Sequence, residues 1–171
     1  MCTPMLGMLF QGIGAMAQAQ GQRHAAQAKA DEYRYQAQVD ENNRKVALWK
    51  AQDAQDRGAK EEAAFRTKVA QLKGRQKSAL AASGVEIGDG SALDILGDTA
   101  ALGELDALTI RSNAEREAYE QKVNASNLAA NASMKRMGAN NAIIAGKIGS
   151  MTSLLSGASS IASKWQSYEY G

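Results

Sequence analysis

The sequence has one proline, one cysteine and one histidine among 171 residues, and aromatics make up only 5% of it. Each scarcity excludes something. A single cysteine, Cys2, rules out a disulfide within the chain, and with one histidine, His24, it also rules out a Cys/His zinc centre built from one chain. A Ser-His-Asp or Cys-His catalytic arrangement has almost nothing to be assembled from, since His24 sits in "QRHAAQ", the context of a solvated helix face. No Walker or Rossmann glycine pattern is present, and the acidic residues fall at the spacing of solvated helix faces. The sequence therefore predicts no enzyme, no cofactor and no metal.

Hydrophobic residues make up 44% of the chain, and alanine leads them. Alanine favours helix but buries little area. Such a chain forms helix readily and struggles to build a thick core alone. Bundles, coiled coils or ring subunits, in which a neighbour supplies the missing burial, fit this composition. The net charge of +2 is unevenly spread: residues 1–22 carry none, 23–82 carry 13 basic and 8 acidic side chains, 83–132 carry 3 and 9, and 133–171 carry 4 and 1.

Residues 1–22 open with Thr3 as a candidate N-cap and Pro4 as a first helical residue. Met5, Met8, Leu9 and Ile13 belong to an apolar helix that either meets a membrane or is buried in an oligomer. From Pro4 to Gln22 it would be roughly 28 Å long, close to the hydrocarbon thickness of about 30 Å, but its glutamines and glycines make a span marginal. "AMA" lacks the basic region of a secretory signal.

Residues 23–82 read as a long polar helix with a narrow seam through Tyr35, Val39, Val46 and Trp49, continued by Phe65, Val69, Leu72 and Leu80, and with Gly58 as the expected bend. "SGVEIGDGS" then predicts a turn over 83–91. Gly84 ends the helix in the left-handed region, Gly88 and Gly90 permit a tight return, and Ser91 caps the next helix with Asp94 at N3. The return helix carries Leu93, Leu96, Ala100 and Ile110 on its core stripe. Folding at about Ile87 sets the basic run 66–77 beside the acidic 97–108, so charge selects the pairing. Lys73, Arg75 and Lys77 could alternatively touch DNA phosphates, without sequence readout.

Residues 138–171 form a third, weakly charged stretch. Ile144, Ile148, Met151 and Leu155 share one helix face, small residues recur at four-residue spacing, and Trp165, Tyr168 and Tyr170 follow. That combination suits close helix packing in lipid or in an oligomer core. The predicted fold is all-α: a long helical hairpin over 23–137 with apolar N- and C-terminal helical segments, acting as an oligomeric ring subunit.

Three stretches carry a resemblance. They are the Met1-Cys2 start with its apolar helix, "AQAKADEYRYQAQ", and the block "GRQKSALAASGVEIGDGSALDILGDTAALGELDALTIRSNAEREAY". Together the chain resembles the small internal virion (ejection) proteins of short-tailed, T7-like bacteriophages, the internal core protein B type. The resemblance implies a protein packaged inside the virion near the portal. It leaves through the tail before the genome, then joins larger ejection proteins in a channel across the host envelope, at the outer membrane. It implies no enzymatic activity. Implied partners are further copies of the chain, other phage ejection or core proteins, the portal or tail adaptor, and the host membrane after ejection, with non-specific DNA contact through the basic run as a further option. The alternative is a structural scaffold or portal/tail-adaptor-associated core protein that stays in the virion.

Overall fold

An alanine-rich chain with no proline after Pro4 and one glycine-dense interruption should make two helices and a turn, and it does. The computed structural model describes residues 3–169, with side chains for 13–160, 162, 163 and 166. Two helices of 80 residues each, α1 (Thr3–Ala82) and α2 (Gly90–Glu169), form an all-α hairpin of long packed helices. No helix boundary falls at 22/23 or 137/138, so the apolar ends are continuous with the hairpin arms. Gly58, expected as a bend, stays helical. One glycine costs only about 1 kcal/mol of helix propensity, and Gly58 lies where the partner helix needs a missing side chain. Among the described residues no helix is long and apolar enough to cross a membrane.

The turn ends α1 in a defined way. Gly84 has φ +76°. Its N–H donates to the Ala81 carbonyl at 3.1 Å, and the Val85 N–H donates to the Leu80 carbonyl at 3.2 Å. This pair of bonds around a left-handed glycine is the Schellman arrangement, which satisfies carbonyls that a helix end leaves open. At the other side Gly90 has φ +60°, and its N–H donates to the Asp89 carboxylate at 2.8 Å. Gly88 is not at positive φ, and α2 begins at Gly90, one residue ahead of Ser91.

The hairpin divides into two compact units, one of residues 43–127 around the turn and one of 1–42 with 128–171 at the chain ends. In the turn unit Ala51, Ala54 and Ala118 form a buried cluster. Gly58 lies against the Ala114 methyl, and Gly103 lies under the two methyls of Val69. In the end unit Ala19, Ala30, Ala37, Ala132 and Ala139 are buried together with Ser150. Gly146 lies against Ala26, Gly157 against Ala15, and Gly149 against the Gln22 side-chain carbonyl. Among the described residues the buried apolar side chains are all alanine. A buried methyl contributes about 0.8 kcal/mol, against 1.5–3 for a buried leucine or valine. Small side chains instead let the helices approach closely, and dispersion contacts along the backbones replace deep side-chain burial.

This corrects the first half of the seam read from the sequence, whereas Phe65, Val69 and Leu80 in its second half are half-buried. Tyr35 and Trp49 are 69% and 72% exposed, and Val39, Val46 and Leu72 are exposed as well. Leu93, expected in the hairpin core, is also exposed, and its neighbour Ala92 occupies the buried position. Leu96, Ala100 and Ile110 are half-buried at the helix contact. The physical reason is steric: one antiparallel pair can bury either an alanine ridge at close range or a bulky ridge at longer range. This pair takes the alanine ridge.

Candidate functional site

Once the alanine seam is used internally, the large apolar side chains are left outside, and they mark the surfaces a partner could use. On α2 of the end unit, Ile144, Ile148, Met151 and Leu155 step by four, three and four residues and are 53–67% exposed. At 100° per residue these positions share one face, turned away from Gly146 and Ser150 at the helix contact. Ile13 on α1 is exposed too; Met5, Met8 and Leu9 lie outside the described side chains. Scattered exposed leucines are ordinary, but an aligned row is not.

A groove of about 540 Å³ lies beside this row in the end unit, lined by Arg23, Ala26, Gln27, Ile143, Gly146, Lys147, Met151 and Leu154. Ser150 fixes one wall. It is fully buried, its hydroxyl donates to the Lys147 carbonyl at 2.8 Å, and it accepts from Arg23 Nε at 3.0 Å. Arg23 is thereby held by its Nε edge, and its terminal nitrogens have no acidic partner among the described residues. Lys147 has none either. The chain carries no acidic residue before Asp31, and none between Glu120 and Glu169.

The turn unit is built on opposite electrostatics. Arg66 grips Glu104 with Nε at 3.1 Å and Nη2 at 2.6 Å, and also reaches Glu62 at 2.7 Å. Arg57 reaches both oxygens of Glu117 at 2.6 and 2.7 Å. Hydrogen bonding to Arg66 holds the Glu104 carboxyl below the usual carboxylate range, and hydrogen bonding to Glu104 and Glu117 raises Arg66 and Arg57. In the end unit Lys135 Nζ meets the largely buried Asp40 at 2.6 Å. These pairs tie α1 to α2. Among the described residues no three metal-ligating side chains converge.

Lys73, Arg75 and Lys77, the candidate phosphate contacts, do not converge. Lys73 is half-buried and shares a side with Lys77, while Arg75 lies about 200° round the helix from Lys73. Sequence reasoning missed the meeting of Arg23 with Lys147, which only the hairpin register creates. Its one legible signal was the lack of acidic residues before Asp31 and between Glu120 and Glu169.

The chain matches the T7 virus internal virion protein gp14 family over residues 1–171 and belongs to that family. No curated protein and no solved structure matches it.

Proposed function

We propose, with that membership as premise, that this internal virion protein is an ejection protein. It leaves the virion interior on infection and helps form a conduit across the host envelope for genome delivery. In this reading several copies assemble with one another and with other core proteins near the portal, and then at the host outer membrane. The observation that supports it is the exposed row Ile144, Ile148, Met151 and Leu155 behind a seam already closed with alanine, glycine and serine. The hairpin has no remaining use for these side chains. Left in water, they forfeit the stabilisation that burial by a neighbour or by lipid would give.

Two measurements test the reading. Purified full-length protein, alone and with its partner core proteins, should release dye from liposomes. Ile148→Asp with Leu155→Asp should abolish that release while leaving helix content intact. After infection the protein should be recovered with host envelope fractions. Recovery only in emptied particles would make it a resident scaffold of the core and refute ejection.

A further inference from the structure

The end-unit groove combines two kinds of wall. Ile143, Met151 and Leu154 supply apolar surface, and Arg23 and Lys147 supply two cations that have no acidic partner among the described residues. The Arg23 guanidinium is held through Nε by the buried Ser150 hydroxyl and lines the groove. A guanidinium and an ammonium beside one cavity favour an anionic oxygen cluster, and a planar guanidinium is suited to two oxygens of a phosphate. An apolar wall of that size has no use for a free ion, and the groove volume is within the range of about 300–1,000 Å³ that small-molecule sites occupy.

We propose that this groove docks an anionic lipid, with Arg23 and Lys147 on the headgroup phosphate and Ile143, Met151 and Leu154 against an acyl chain. The proposal rests on the membrane role argued above and adds the lipid class and the residues that select it. Two acid-free stretches supply the charge complementarity: no side-chain carboxylate before Asp31, or between Glu120 and Glu169, repels an anionic leaflet. The neighbouring row of Ile144, Ile148 and Leu155 would rest on the same interface, with the two cations reaching the headgroup level. Duplex DNA is the poorer occupant, because a phosphate backbone rewards a row of cations and leaves the apolar wall unused.

The test is flotation of the full-length protein with vesicles of phosphatidylcholine alone and of phosphatidylcholine containing phosphatidylglycerol. The expected result is stronger partition onto the anionic vesicles. Arg23→Gln and Lys147→Gln should each lower it about fivefold, and together about 30-fold. Lys73→Gln with Lys77→Gln removes the same charge from the turn unit and should leave partition within error of the wild type. Lys147 makes no side-chain hydrogen bond among the described residues, so Lys147→Gln carries the test if Arg23→Gln disturbs folding. Equal binding to both vesicle types overturns the lipid preference and leaves the proposed function standing, whereas binding to neither overturns both. A double variant no weaker than the turn-unit control also refutes the site. So does a double variant that loses short-duplex DNA binding and keeps vesicle binding, which would assign the groove to DNA.

Discussion

Gly58→Ala gives the sharpest check of the alanine seam, because two opposed effects of known size meet at one atom. In an open helix position, alanine for glycine gains about 0.8–1 kcal/mol of helix propensity. Gly74 is such a position, since a Cβ there meets nothing within 4 Å. At Gly58 the new methyl overlaps the Ala114 Cβ. A Cβ is fixed to the backbone and cannot rotate aside, so the helices must separate locally. Overpacking of this kind costs about 1–3 kcal/mol, which cancels or outweighs the propensity gain. Gly74→Ala should therefore stabilise by about 1 kcal/mol, and Gly58→Ala should range from neutral to about 2 kcal/mol destabilising. Ala114→Gly alone should cost about 1 kcal/mol or somewhat more, from lost propensity and a lost methyl contact. The double variant moves the methyl from one helix to the other and should return close to wild type, with a coupling of about 1–3 kcal/mol between the two sites. Urea melts followed by far-ultraviolet circular dichroism, with unchanged slope, give all four values. If Gly58→Ala stabilises as much as Gly74→Ala, or the two seam substitutions are additive, the helices do not meet there and the register argued above is wrong.

Two further predictions concern the charges between the arms. The Glu104 carboxyl lies below its ordinary range in the folded chain, so unfolding takes up protons. The stability it contributes is present above about pH 4.3 and is lost as pH falls through the lower folded value. The urea midpoint should thus fall on acidification in the wild type and less steeply in Glu104→Gln; equal pH profiles would refute the assignment. Lys135→Ala leaves the largely buried Asp40 without its counter-ion and should cost about 1–3 kcal/mol in the same melts, while Asp40→Leu with Lys135→Met should recover most of it.

The hairpin was legible because its signals are local. The lack of proline after position 4, the helix-favouring composition and the single cluster of glycines between Ser83 and Ser91 each point to helix, turn and helix. The meeting of Arg66 with Glu104 was legible in outline, because a turn near 87 sets a basic run beside an acidic one. The seam was legible near the turn, where Val69 packs over Gly103, and not in the stretch from Tyr35 to Trp49. Tyr35, Val39, Val46 and Trp49 recur at helical spacing as convincingly as the alanines do. Periodicity shows that a face is apolar, and not which partner takes it. Choosing between the two ridges requires the close contacts at Gly58, Gly103 and Gly146, where only a missing side chain admits the facing helix. The Arg23–Lys147 groove was hidden for a related reason. Its halves are far apart in the chain, and a slip of one helix turn would separate them.

The glycine contacts at Gly58, Gly103, Gly146 and Gly157 also limit how the length of this chain can change over generations. Each fits one particular partner, so residues gained on one arm would move every bulky group beyond them onto the wrong neighbour. A tolerated insertion has to be matched by a second on the opposite arm, and each has to bring whole turns of the repeat, about seven or eleven residues at a time. Among family members, length differences within the arms should therefore occur as paired blocks, with single-residue changes confined to the connection between Ser83 and Asp89.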